Sequence, residues 1–131
     1  MSDQESVDGF PLKDYLGLDL VEEESGRVVA TMEVTERHLS PNGTVHGGVL
    51  FTLVDTAMGK ATMGAVAENR TCVSIELSAR YLRPVGAGRL VAEVTVLQAG
   101  RRVVHLEGKV WCEGDDRPVA AMTGSFAVID L

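Results

Sequence analysis

The feature that most constrains the fold is residues 48–67, a run in which nearly every residue is apolar or small. The run contains Ala, Leu and Met but no Pro, and it is long enough for a helix and too long for an ordinary strand. Because apolar residues lie on all sides, we expect the helix to be buried almost all round. Asp55 and Lys60 interrupt it, which argues against a membrane span. The pattern predicts the central helix of a small soluble core.

Asp55 is the carboxylate on this helix, and burying an unpaired charge is so unfavourable that a partner or a shifted pKa is expected. Small or polar residues lie three or four positions from one another along the same side of the helix, namely Thr52, Thr56, Gly59 and Thr62. One interpretation of this stripe is a partner interface or a hydrogen-bonded buried acid. The other is a cleft in which Asp55 acts as a catalytic acid or base.

Gly47 and Gly48 precede the apolar run and allow a tight turn and a close approach of a ligand to the backbone. The first N–H groups of a helix have no internal acceptor and carry the positive end of its dipole, so they suit a developing oxyanion. The alternative is that the two glycines only make the turn.

Asp55 lies eight residues beyond Gly47, which is roughly 12 Å along one helix. A reacting carbonyl must lie within about 3 Å of its hydrogen-bond donor and close to the base. One helix therefore hardly supplies both groups to the same carbon. If both groups are catalytic, we expect Gly47 of one subunit to face Asp55 of another, in an active site shared across a dimer.

Composition and charge limit the function classes. The 131 residues suffice for one domain, and the net charge of −7 argues against nucleic acid or an anionic membrane as partner. Cys72 and Cys112 do not form a CxxC pair, so we expect free thiols and a cytoplasmic location. We assign His38 and His105 to surface or strand packing, and the three scattered histidines make a metal site unexpected.

The rest of the chain predicts a sheet around the helix. We expect a flexible N-terminus at residues 1–9, one domain at residues 10–131, a short helix ended by Gly17, and strands at 18–24 and 27–36. After Asn69 the pattern has a period of two, with residues 73, 75, 77, 79 and 81 on an apolar face and Ser74 on the opposite face. The expected fold class is α+β, with a five- or six-stranded antiparallel sheet wrapped on a long central helix. An edge strand of such a sheet invites self-association.

Two motifs resemble a known family. His46-Gly47-Gly48 followed by Leu53-Val54-Asp55-Thr56-Ala57, together with the later Tyr81-Leu82-Arg83-Pro84, is similar to the PaaI-type branch of the hotdog-fold acyl-CoA thioesterases. The similarity covers residues 18–128. It implies a hotdog fold, a homodimer in which two sheets join, and a homotetramer built as a dimer of dimers. It also implies hydrolysis of acyl-CoA thioesters without metal or organic cofactor.

The same resemblance implies roles for individual residues. Gly47 N–H would polarise the thioester carbonyl, and Asp55 of the other subunit would activate water or attack directly through an anhydride. His46 would shape the loop and help to hold the carbonyl, and Ser74 would position the water. These enzymes often have Asn six residues before the His, where this chain has Ser40, so either Ser40 or Asn42 would replace that residue.

The phosphates of CoA, as anions, should meet the basic second part of the chain, and we select Arg83, Arg101 and Arg102 as their contacts. The leading hypothesis is thus a thioesterase for a small, medium or aryl acyl-CoA. One alternative is a non-catalytic acyl-CoA-binding hotdog protein. A further alternative is a hotdog enoyl-CoA hydratase or dehydratase, although His46 lacks the aromatic-Pro-Gly context expected of that branch.

Overall fold

The computed structural model describes residues 9–131, in which a six-stranded antiparallel sheet in the order β1-β2-β4-β5-β6-β3 packs against one side of a long helix. The predicted α+β hotdog fold is confirmed. The expected flexible segment falls, apart from Gly9, outside the described residues. No helix in the described range is both long and apolar enough to cross a membrane. The elements are α1 (Pro11–Leu16), β1 (Leu18–Glu24), β2 (Arg27–Glu33), α2 (Gly47–Ala65), β3 (Arg70–Tyr81), β4 (Arg89–Ala99), β5 (Val103–Cys112) and β6 (Ala120–Asp130).

Helix α2 is the predicted central helix, but it begins one residue earlier and ends two residues earlier than expected. The prediction that it is buried almost all round is wrong. The sheet of one chain covers one side of the helix, and Phe51 on another side is 36% exposed. Asp55, Thr56 and Gly59 are half-buried. The side chains that α2 buries are Leu50, Leu53, Val54, Ala57, Met58, Ala61 and Thr62.

Strand β3 contains a β-bulge between Ser74 and Glu76, opposite Phe126 and Ser125 of β6. A bulge inserts one extra residue and therefore reverses the alternation of side chains beyond it. The prediction of a continuous apolar face is consequently wrong for the first half of β3. Residues 73 and 75 are about half exposed, at 51% and 55%, whereas residues 77 and 79 are partly buried. Ser74 faces the helix, not the opposite side as expected.

Strand β2 ends at Glu33, three residues earlier than predicted, and a 3-10 turn follows at Glu36–His38. The His38 side chain is 1% exposed and holds this turn in place. Its Nδ1 accepts the Thr35 N–H at 2.9 Å, and its Nε2 donates to the Leu16 carbonyl at 2.8 Å. His38 therefore has the packing role that we predicted, and it joins α1 to the loop that leads to α2.

Strands β1 and β3 form the two edges of the sheet. Along β3 the apolar residues Val73 and Ile75 are exposed, and within residues 9–131 no strand pairs with β3 on the side away from β6. Such an edge is a ready template for pairing with another chain. Tyr81 at the far end of β3 lies beside the start of α2, so this edge runs along the whole of the candidate site.

Candidate active site

The Asp55 carboxylate lies between α2 and β3. It is half-buried, and its Oδ1 accepts a hydrogen bond from the Ser74 hydroxyl at 2.8 Å. Because the bulge keeps Ser74 on the helix side of β3, this hydroxyl is the group that orients the acid. The structure thus brings together two of the predicted site residues, which are nineteen positions apart in the chain.

Asp55 and Ser74 line a cavity of about 620 Å³ that is bounded by α1, α2, β1, β3 and β6. This volume is within the range of small-molecule sites, about 300–1,000 Å³. Apart from the acid and a few hydroxyl groups, most of the wall is apolar. The apolar lining residues are Phe10, Leu12, Leu20, Phe51, Gly59, Met63, Cys72, Val73 and Phe126.

Cys72 shows how restricted solvation is beside Asp55. Its thiol lies 3.8 Å from the Gly59 carbonyl oxygen. Burial, and then the negative charge of Asp55, raises the pKa of this thiol. A thiol that stays protonated is a poor nucleophile, so Cys72 does not compete with Asp55 for a chemical role.

The start of α2 is held by two hydrogen bonds to the peptide that joins Gly47 and Gly48. Gly48 N–H donates to His46 Nδ1 at 2.8 Å, and the Tyr81 hydroxyl donates to the Gly47 carbonyl at 2.8 Å. His46 is therefore the N-cap of the helix, and its side chain accepts the hydrogen bond of the second amide, Gly48 N–H. Gly47 N–H donates no hydrogen bond within residues 9–131, so it is the amide left for a ligand.

Gly47 and Asp55 do not share a cavity within one chain. Gly47 lines a second cavity of about 320 Å³, together with Leu50, Tyr81 and Arg83 among others. The separation along α2 is roughly 12 Å, as the sequence indicated. A single copy of the chain thus presents an amide donor at one place and a carboxylate at another.

Asn42 lines neither of these cavities. Its side-chain oxygen is contacted by the Ser40 hydroxyl and accepts the Thr44 hydroxyl at 3.0 Å. Ser40 also lies 2.9 Å from the Thr44 carbonyl oxygen. Ser40 and Asn42 therefore stabilise the turn before α2, and within one chain neither is brought to Asp55.

The arginines selected for the CoA phosphates lie at opposite ends of the sheet. Arg83 lies beside Gly47. Arg101 and Arg102 line a cleft of about 220 Å³ with Arg70, at the end where β3 begins. Arg70 donates to Asp130 Oδ1 at 2.8 Å and to the Arg101 carbonyl at 2.7 Å. The sequence reasoning missed Arg70 as a member of this cluster and Tyr81 as a partner of Gly47.

Among proteins with similar sequences, a candidate esterase of Haemophilus influenzae is 33% identical over 89 residues, which are 68% of this chain and 64% of that protein. The proofreading thioesterase EntH of Klebsiella pneumoniae is 31% identical over 111 residues, 85% of this chain and 81% of that protein. Acyl-coenzyme A thioesterase 13 of Pongo abelii is 33% identical over 87 residues, 64% of this chain and 60% of that protein. The matches thus span less than two thirds of the first and third of these relatives.

Comparisons with a solved structure and with a family profile agree with these sequence similarities. The structure of the E. coli PaaI protein from the phenylacetic acid degradation operon superimposes with a TM-score of 0.86 at 27% identity, covering 96% of this chain and 89% of that one. The Thioesterase superfamily profile matches residues 42–119, the stretch that carries Gly47, Asp55, Ser74 and Tyr81. The chain therefore belongs to the thioesterase superfamily, and it has a PaaI-like hotdog fold.

Proposed function

We propose that this protein hydrolyses acyl-CoA thioesters in an active site that two copies of the chain share. The observation that carries the proposal is the position of the Asp55 carboxylate, held by Ser74 at the wall of a largely apolar cavity, while the Gly47 amide lies elsewhere in the same chain. A catalytic amide and a catalytic acid separated in this way serve one carbonyl only if they come from different copies.

The exposed edge of β3 is the surface that supports such an arrangement. Two β3 strands paired antiparallel would place the first half of one strand beside the second half of the other. Ser74 lies in the first half and contacts Asp55, whereas Tyr81 ends the strand and contacts Gly47. Pairing of this kind brings Asp55 of one copy toward Gly47 of its partner, and it covers Val73 and Ile75.

In the proposed reaction, Gly47 N–H donates to the thioester oxygen and stabilises the negative charge that develops there. Asp55 accepts a proton from a water molecule, whose oxygen attacks the carbonyl carbon. The C–S bond then breaks, the carboxylic acid is released, and the CoA thiolate takes the proton from Asp55. In the alternative route, Asp55 attacks the carbon itself, the C–S bond breaks to release CoA, and water hydrolyses the resulting anhydride and restores Asp55. Ser74 orients the carboxylate in both routes, and His46 keeps the Gly47 amide in place.

The CoA phosphates are assigned to Arg83, Arg101 and Arg102, with Arg70 added from the structure. Antiparallel pairing of β3 would place the end of one copy that carries Arg70, Arg101 and Arg102 near the end of the other copy that carries Arg83. The four guanidinium groups would then surround one entrance in an otherwise acidic protein, where they suit phosphate groups.

Replacement of Asp55 with Asn tests the proposal, because the amide keeps the shape of the acid and cannot accept the proton. We expect kcat for CoA thiol release to fall by about 100-fold or more, as is typical when a general base is removed. Ser78→Ala on the same strand is a matched control that should keep wild-type activity. Wild-type rates in purified Asp55→Asn would contradict the mechanism.

The same assay separates the two alternatives. Tight binding of acyl-CoA in calorimetry, with no thiol released over hours, would favour a binding protein instead. Hydration of an enoyl-CoA without thiol release would favour the hydratase or dehydratase.

A further inference from the structure

We propose that Gly59 sets the length of the acyl group that this enzyme accepts, and that the preferred substrates carry a straight, apolar acyl chain of medium length. The inference rests on the proposed function, since it places the acyl chain in the cavity that Asp55 and Ser74 open onto. The substrate class is inferred from how far the cavity extends from Asp55 along one side.

The cavity extends further from Asp55 toward the end of α2 than toward its beginning. Only Phe51 and Thr52 line it on the side of the helix start. On the other side Gly59 lies about 6 Å and Met63 about 12 Å beyond Asp55 along the helix axis. Four further apolar residues line the same cavity, namely Leu20 of β1, Phe126 of β6, Leu12 of α1 and Phe10 just before α1.

This part of the cavity suits hydrocarbon. Phe126 is 3% exposed and its ring lies close to Gly59. The Cys72 thiol lines the same wall, and burial raises its pKa further, so it adds no charge there. Lys60 also lines the cavity, and the alkyl stem of a lysine adds apolar surface to such a wall. An acyl chain with its carbonyl at Asp55 would thus pass Gly59 and end near Met63.

The packing of the protein itself does not require a glycine at position 59. A Cβ added there would meet Phe126 Cε2 at 3.7 Å, which is ordinary van der Waals contact. Glycine in a helix interior is less favourable than alanine, so its effect here is to leave space. Long side chains in a helix point back toward its N-terminus. A leucine at position 59 would therefore fill the space between Gly59 and Asp55.

The experiment compares wild type, Gly59→Ala and Gly59→Leu in thiol release from acetyl-, butyryl-, hexanoyl-, octanoyl- and decanoyl-CoA. For wild type we expect kcat/KM to rise from acetyl- to octanoyl-CoA. In Gly59→Leu, we expect kcat/KM for octanoyl-CoA to fall by about tenfold or more and that for acetyl-CoA to stay within about threefold. Gly59→Ala should give a smaller shift in the same direction and a Tm higher by about 4 °C.

Gly64→Leu is the matched control, because Gly64 lies on the same helix, is exposed, and does not line the cavity. Its added Cβ would meet only the flexible carboxylate end of Glu22. We expect its chain-length profile to match that of wild type. An unchanged profile in Gly59→Leu, or an equal loss on every substrate, would overturn the inference while leaving the proposed function intact.

A binding measurement keeps the two proposals distinguishable. If wild type released CoA from none of the substrates, the proposed function would fail, and calorimetry with the thioethers S-octyl-CoA and S-ethyl-CoA would decide the inference alone. We expect wild type to bind S-octyl-CoA about tenfold more tightly than S-ethyl-CoA, and Gly59→Leu to lose this difference. If wild type bound the two thioethers with equal affinity, the inference that the cavity accepts an acyl chain of medium length would be refuted.

Discussion

At the level of single residues, the peptide between Gly47 and Gly48 is held at both of its polar ends. The Tyr81 hydroxyl donates to its carbonyl, and its N–H donates to His46. The ring of Tyr81 also lies so close that a Cβ at Gly47 would be 3.1 Å from its Cζ. Tyr81 is thus a positioning residue, which holds the first peptide of α2 and with it the neighbouring Gly47 N–H.

Tyr81→Phe should separate this positioning role from packing, because it keeps the ring and removes one hydrogen bond. We expect kcat for thiol release to fall by about three- to tenfold with little change in KM, the effect of one hydrogen bond of about 1 kcal/mol, and Tm to fall by no more than about 4 °C. Tyr15→Phe, which alters an exposed tyrosine whose ring packs against Arg37, is the control. A kcat equal to that of wild type would show that His46 suffices to hold the peptide.

At the level of elements, the bulge in β3 decides which residues meet α2. The extra residue at position 75 lets Ser74 reach Asp55 while Leu77 and Ala79, of opposite parity, also face the helix. In a regular strand, Ser74 and Leu77 would lie on opposite faces. The bulge therefore combines a polar contact to the acid with apolar packing further along the same strand.

The start of α2 allows its amide to be removed with little effect on the helix. Proline is favoured at the first helical position, and His46, with φ −63° and ψ 137°, already has the extended conformation required before a proline. We expect Gly47→Pro to stay folded, with the ring of Tyr81 shifting slightly, and to lose about 100-fold or more in kcat. Circular dichroism with a thiol-release assay tests this. Activity near that of wild type would exclude Gly47 N–H as the oxyanion donor.

At the level of the whole molecule, one chain is incomplete as the proposed enzyme. In the described part of the chain the β3 edge is unpaired and one side of α2 is open. Arg83 lies at the opposite end of the sheet from Arg70, Arg101 and Arg102. Antiparallel association through β3 would resolve all three features at once. The homotetramer and the cytoplasmic location remain predictions, which light scattering and cell fractionation would test.

Mixing two inactive variants tests the shared site. In a mixed dimer of Asp55→Asn and Gly47→Pro, one site receives Gly47 and Asp55 unchanged and the other receives both substitutions. Random exchange of subunits should restore about a quarter of wild-type activity, because about half of the dimers are mixed and each has one intact site. Each variant incubated alone is the control. If mixing restored no activity although mass spectrometry showed mixed dimers, both groups would have to act within one chain.

The sequence by itself determined the central helix, the antiparallel sheet and the family, because periodicity and short motifs are local properties of a chain. It also predicted Asp55 and Gly47 as the chemical groups. The prediction that Gly47 and Asp55 lie too far apart to act on one carbonyl within one chain follows from helix geometry alone. The tertiary structure decided what depends on strand pairing. The bulge that turns Ser74 toward Asp55 exists only opposite β6, and the contacts of Tyr81 with Gly47 and of Phe126 with Gly59 join residues distant in the chain. No local pattern records such contacts, since they arise only when the sheet closes on the helix.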